Sequence, residues 1–132
     1  MKIETHEKNL KESLEVLEES IEKGIVERQR NIGFNTSAAC VDMLEIFLHK
    51  KSLIDPGFVI KHEWLKSKKK TAEKLPFDFQ MKGEILGIIF KIEEKRNVLC
   101  YGSPQDIKLI QEVVGNFNKL KDIFREAGLD GI

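Results

Sequence analysis

Phe34–Lys50 reads Phe-Asn-Thr-Ser-Ala-Ala-Cys-Val-Asp-Met-Leu-Glu-Ile-Phe-Leu-His-Lys, and it decides the fold. Phe34, Ala38, Val41, Leu44 and Leu48 recur at helical spacing, and Ala39, Met43 and Ile46 form an adjacent stripe. A helix apolar over so much of its girth is central and has more than one neighbour. Ala38 and Ala39 permit close helix approach. Asp42 and Glu45 interrupt the wide apolar face. They line a polar seam or mark the remaining solvent side, and the second arrangement is the commoner one. Cys40 reads as a core residue.

Working outward, residues 5–25 form a helix with Leu10, Leu14, Leu17, Ile21 and Ile25 on one stripe and glutamates on the other face. Thr5 is its expected N-cap. Gly24–Gly33 is either a loop or the polar start of the central helix. After the central helix, Asp55-Pro56-Gly57 is a turn signal, because proline fixes one backbone angle and glycine accepts a left-handed one. Val59–Leu75 is expected to form a weaker helix and carries Trp64, the sole tryptophan. Pro76 breaks the chain. The next helix runs Met81, Ile85, Ile88, Ile92, Arg96 and Leu99 along one line, so it is buried early and polar late. In the last helix Ser103 is the expected cap and Pro104 suits the first turn. Ile107, Ile110, Val114, Phe117, Leu120 and Phe124 are its stripe, and Gly128 its stop. No strand alternation, internal repeat or linker interrupts this order. The expectation is a single all-α domain over residues 1–132, an antiparallel up-and-down helical bundle of four main helices plus a shorter one.

Composition narrows the chemistry. The 132 residues are 41% hydrophobic and 33% charged, which is globular, and 22 basic residues balance 22 acidic ones. Binding to nucleic acid through bulk charge needs a basic protein, so such contact here must come from a local patch. Lys66, Lys68, Lys69 and Lys70, with Lys74 beyond, form the clear basic cluster, read as a solubilising face or a phosphate-backbone contact. Cys40 and Cys100 read as buried free thiols. His6, His49 and His62 stand far apart without ligand spacing, so no metal site and no cofactor are expected. No apolar run is long enough to span a membrane and none resembles a leader, so a cytoplasmic location is expected.

The richest chemistry lies in Lys91–Pro104 (Lys-Ile-Glu-Glu-Lys-Arg-Asn-Val-Leu-Cys-Tyr-Gly-Ser-Pro). Arginine supplies a fixed, always charged fork of donors, and asparagine adds a donor and an acceptor, so Arg96 and Asn97 can hold a phosphate. Cys100 is a helical neighbour of Arg96. Tyr101 lies about 140° further round, so one regular helix does not aim it where Arg96 points. A bend at Gly102 or a second subunit would be needed. The competing reading pairs Arg96 with Glu93 or with a carboxylate of the first helix.

Arg96-Asn97-Val98-Leu99-Cys100-Tyr101-Gly102 resembles the signature of the HEPN superfamily (higher-eukaryote and prokaryote nucleotide-binding domains), and the helix order extends the resemblance over roughly residues 8 to 126. That family has an up-and-down helical bundle whose motif is arginine, usually then asparagine, then histidine four to six residues on. The resemblance implies a homodimer that binds RNA or a nucleotide, with a nucleotidyltransferase as partner in toxin–antitoxin pairs. In active members the arginine and histidine make a metal-independent ribonuclease. Here Arg96 and Asn97 match the motif, while the histidine position falls on Tyr101. The tyrosine of the toxin subgroup falls on Ser103. A tyrosine near pKa 10 is a poor acid–base group at neutrality. The resemblance therefore implies a catalytically degenerate binding domain. An atypical ribonuclease using Arg96, Asn97 and Tyr101 is one alternative, and a structural interaction module is another. More apolar stripe than one small bundle hides, notably Phe77 and Phe79, adds to the expectation of a dimer.

Overall fold

The computed structural model describes residues 2–132, which fold into helices with no strand among them. The helices are α1 (Ile3–Lys23), α2 (Gln29–Lys50), α3 (Lys68–Lys74), α4 (Lys82–Tyr101) and α5 (Ile107–Glu126), with a 3-10 turn at His62–Lys66. The four long ones make the all-α bundle. α2 is its axis and packs against α1, α4 and α5. Pairs along α2 give the directions. Gly33 meets Leu99, Ser37 meets Glu93 and Phe47 meets Phe79, so α4 runs antiparallel to α2. Gln29 reaches Gln105 and Phe47 meets Phe124, so α5 runs parallel to it.

α2 starts at Gln29, so most of the glycine-bounded segment left open by the sequence belongs to the helix. Asp42 and Glu45 are both buried. The solvent-side reading of these two residues is therefore corrected: they line a polar seam. Covering elements bring their partners to them, as described below.

Three other expectations change. α1 begins at Ile3 with Lys2 at its N-cap position and no side-chain cap, so Thr5 is inside the helix. Its buried line is His6, Leu10, Ser13, Leu17 and Ser20, whereas Ile21 is exposed. The face turned to α2 is thus rotated from the apolar stripe toward small serines. Ser20 satisfies its hydroxyl on the Val16 carbonyl at 2.7 Å, which lets it be buried at little cost.

Val59–Leu75 is not one helix. The Ile60 N–H is donated to Glu45 Oε1 at 2.5 Å, so the chain there is tied to α2 instead of to its own next turn. Ser67 is extended and accepts from the Lys70 N–H, capping α3, while Thr71 Oγ1 donates to the Trp64 carbonyl at 2.6 Å. Buried Leu65 and Leu75 anchor the segment.

α5 begins later than Ser103 suggests. Asp106 is its N-cap and accepts from the Lys108 N–H, leaving Ser103 and Pro104 in the preceding loop. Its end follows expectation. Gly128 has φ +102°, and the Leu129 N–H returns to the Phe124 carbonyl at 2.8 Å, closing the helix through a left-handed residue. The Asp55–Phe58 turn also forms, with Phe58 N–H on the Asp55 carbonyl. Among the described residues no helix is long and apolar enough to cross a membrane.

Gly33 and Gly87 give opposite predictions. A Cβ on Gly33 would stand 2.7 Å from Leu99 Cβ and 3.0 Å from Cys100 Sγ, at the α2–α4 crossing. Gly33→Val is expected to destabilise by about 1–3 kcal/mol through overpacking. Gly87 has open space around the position of a Cβ. Gly87→Ala is expected to stabilise α4 by about 0.5–1 kcal/mol. Equilibrium denaturant unfolding of both variants checks the pair.

Candidate functional site

Two polar assemblies sit at different heights on α2. The first is at its N-terminal end, where α4 finishes. Arg30 and Phe34, one turn apart on α2, face the last turns of α4. The guanidinium carbons of Arg30 and Arg96 each lie 5.4 Å from the centre of the Phe34 ring, and Tyr101 meets that ring edge-on with centroids 5.7 Å apart. Phe34 thus gathers groups that α4 alone sends in different directions. No bend at Gly102 is needed, since α4 is helical through Tyr101.

Charge distinguishes this assembly. Arg96 is half-buried on the line of Ile85, Ile88 and Ile92, as its spacing predicts. Among the described residues neither Arg96 nor Arg30 has a carboxylate at ion-pair distance, and Arg96 Nε is buried without a hydrogen-bond partner. The internal ion pair expected under the structural reading is absent: Glu93 is turned inward to Ser37 and His62 instead. Each cation–ring contact at such a site is worth about 0.5–1 kcal/mol, which holds the cations in place without neutralising them.

Next to Tyr101 opens a hollow of about 480 Å³ whose walls include Arg30, Cys100, Tyr101 and Gly102, with Phe34 and Arg96 outside its lining. Glu27 also borders it, but Glu27 Oε2 lies against Gly24, only 2.2 Å from where a Cβ there would be. The start of α2 has no side-chain cap and no acidic residue in its first turn. Its helix dipole places roughly half a positive charge there, adding to the arginines. Gln29 fixes the frame: its amide donates to the Leu99 and Ser103 carbonyls and its carbonyl accepts from the Gln105 N–H at 2.7 Å. Such a surface can bind an anion and stack a planar group on Tyr101, which is 67% exposed. Among the described residues no histidine lines the hollow.

Asn97 goes elsewhere. It is exposed and borders a separate groove of about 380 Å³ with Lys66, Lys68, Phe90, Glu93 and Glu94. Arg96 and Asn97, adjacent in sequence, therefore serve two different sides of α4. Lys69 and Lys70 are exposed on the first turn of α3, outside that lining. Sequence reasoning missed Arg30, Phe34 and Gln29 as site residues. The one available signal was the four-residue spacing of Arg30 and Phe34, which becomes informative once α2 is known to start before them.

The second assembly is buried. His6 Nδ1 is 2.8 Å from Asp42 Oδ1, and His6 Nε2 contacts Glu45 Oε2. His49 lies beside them, its ring centre 6.3 Å from that of His6. Nearer the start of α2, Ser37 Oγ donates to Glu93 Oε1 at 2.6 Å, and His62 Nδ1 is 2.9 Å from the same oxygen. Burial raises the Asp42 carboxyl above its usual range, and the His6 hydrogen bond opposes that rise. His6 and His49 are far apart along the chain and adjacent in space, because the antiparallel α1–α2 hairpin brings its two ends together.

No protein-family model matches the chain, and no match is found among curated proteins or solved structures.

The thiols report on both regions. Burial pushes the Cys40 thiol well up, and nearby Glu93 adds to it. Burial also raises the Cys100 thiol, while Arg96 and Arg30 pull it back. Both are expected to react with a thiol-specific disulfide reagent more slowly at pH 7 than a free cysteine, speeding up only above the ordinary thiol range near about 8.5. Cys100, which borders the open hollow, is expected to react before fully covered Cys40. Labelling kinetics followed by peptide mapping check the order, and earlier modification of Cys40 would contradict it.

Proposed function

We propose that this chain is a HEPN-like helical domain that binds the phosphates of RNA or of a nucleotide at its Arg96 end, for binding ahead of catalysis. The observation that carries this reading is the pair Arg30 and Arg96, both held on Phe34 beside exposed Tyr101 with no carboxylate to neutralise them. Guanidinium groups match phosphate oxygens in geometry as well as charge. Tyr101 offers a stacking face for a base. With tyrosine where the resembled motif has histidine, strong ribonuclease activity is not expected. The groove with Lys66, Lys68 and Asn97 extends the same role as a path for a longer backbone, with Lys69 and Lys70 adding charge next to it.

Fluorescence anisotropy with short single-stranded RNA and with labelled nucleotide tests the reading. Binding is expected to weaken with salt. Arg96→Ala and Arg30→Ala are each expected to lower affinity about tenfold or more, the scale of a charged hydrogen bond. Tyr101→Ala is expected to cost at least about fivefold through lost stacking. Absence of binding by a folded protein would remove the proposal. RNA cleavage that persists in chelator and disappears in Arg96→Ala would instead establish the atypical ribonuclease.

The proposal includes a homodimer joined at this end. Phe79 is buried against Phe47 and offers little surface to a partner, while Phe77 packs only partly on the core. Five large apolar residues are exposed among the described residues; Val59 precedes the 3-10 turn, while Ile21, Val26, Tyr101 and Ile107 belong to the end of the bundle where α1 and α4 finish and α2 and α5 begin. Exposed apolar groups gathered at one end suit a second copy of the chain. Light scattering is expected to give a dimeric mass that Ile107→Glu converts to a monomeric one; a monomer at all concentrations would refute this part.

A further inference from the structure

We propose that His6, Glu45 and His49 form a binding site for a divalent transition-metal ion of the zinc class. One ligand atom from each residue lies within 4.8 Å of the other two. Among the described residues five buried side-chain polar atoms lack a hydrogen-bond partner, and three of them are His6 Nε2, Glu45 Oε2 and His49 Nε2. Buried polar atoms without hydrogen-bond partners are rare; His6 Nε2 and Glu45 Oε2 touch each other with His49 Nε2 beside them, and one shared partner would serve all three. His6 and Glu45 are among the most covered side chains in the molecule, at 3% and 0% exposure.

The outer contacts suit a metal. His6 Nδ1 is held by Asp42 Oδ1 at 2.8 Å, and Glu45 Oε1 is held by the Ile60 N–H at 2.5 Å. A ligating imidazole commonly gives its other N–H to a carboxylate, which fixes the ring and turns the free lone pair toward the ion. With the proton on Nδ1, the His6 Nε2 lone pair faces Glu45 Oε2, and two acceptors in contact need a cation between them. A proton there would join His6 to Glu45 as an ion pair and leave His49 Nε2 unpartnered. A metal ion satisfies all three atoms.

The donor set indicates the ion. Two imidazole nitrogens and one carboxylate oxygen suit zinc and its first-row neighbours, whereas magnesium and calcium favour all-oxygen sites. His49 is half-buried as a residue, and its Nε2 is covered like the other two donor atoms. Glu45 and His49 are one turn apart at the end of α2, where the negative end of the helix dipole favours a cation. His6 comes from the start of α1, so the ion would clamp the open end of the hairpin. By helix rise Glu45 and His49 lie roughly 22–28 Å along α2 from Arg30, so the site is separate from the proposed phosphate surface.

The test uses chelator-treated full-length protein dialysed against Zn2+ or Co2+, with elemental analysis, visible absorption and thermal melting. Expected results are one bound ion per chain, the d–d absorption of nitrogen- and oxygen-ligated cobalt, and a raised melting temperature. Mg2+ is expected to reproduce none of them. His49→Ala, at a half-buried position, and Glu45→Gln, which keeps an acceptor for Ile60, are each expected to weaken Zn2+ binding at least about 100-fold. Asp42→Asn is expected to weaken it about 10–100-fold through loss of imidazole orientation. Wild-type protein that retains no metal and melts unchanged would overturn the site in favour of the His6–Glu45 ion pair alone. Binding that persists at full strength in both His49→Ala and Glu45→Gln would overturn it equally, by placing the ion elsewhere.

Discussion

Polar side chains that α2 carries into the core must be satisfied there, and the rest of the structure is arranged around that requirement. Ser37, Asp42 and Glu45 are buried on a helix surrounded by neighbours. A buried carboxylate without partners is too costly to keep, so each covering element has to deliver one. α1 brings His6 to Asp42, the segment before the 3-10 turn brings the Ile60 N–H to Glu45, and α4 brings Glu93 to Ser37. Apolar packing alone is non-directional and tolerates sliding of one helix along another. These hydrogen bonds do not, and they set the register of three elements against α2.

The same helix separates two kinds of chemistry. Its N-terminal end is positive by dipole and gathers Arg30 and Arg96 on Phe34 without acidic partners. Its C-terminal end is negative by dipole and holds the carboxylate–histidine cluster. One end is suited to anions and the other to cations, and the helix polarity supports both. Gln29 secures the first end by fastening the α4–α5 loop to the start of α2. The second end depends on the α1–α2 hairpin closing so that His6 reaches the last turns of α2.

How much was legible varied with the kind of interaction. The four long helices were readable because burial of a stripe leaves a 3.6-residue mark on the sequence. Arg96 was readable for the same reason, as a cation on an apolar line. Its companion Arg30 was not, because an open choice between loop and helix hid its relation to Phe34. The Val59–Leu75 region misled because its weak periodicity competes with a long-range bond from Ile60 to Glu45, and that bond has no local signature. Asp42 and Glu45 stayed open between a polar seam and the solvent side because their partners lie 36 and 15 residues away along the chain.

By itself the sequence determined the all-helical class, the central place of α2, the polar late end of α4 and the position of Arg96 upon it. These are consequences of local spacing, which packing must respect. Only the tertiary structure decided which arginine joins Arg96, that Asn97 turns to a different side, that α1 rotates onto its serines and that His6 meets His49. Those outcomes depend on which distant groups satisfy one another once water is excluded, and residue spacing along one helix carries no record of that choice.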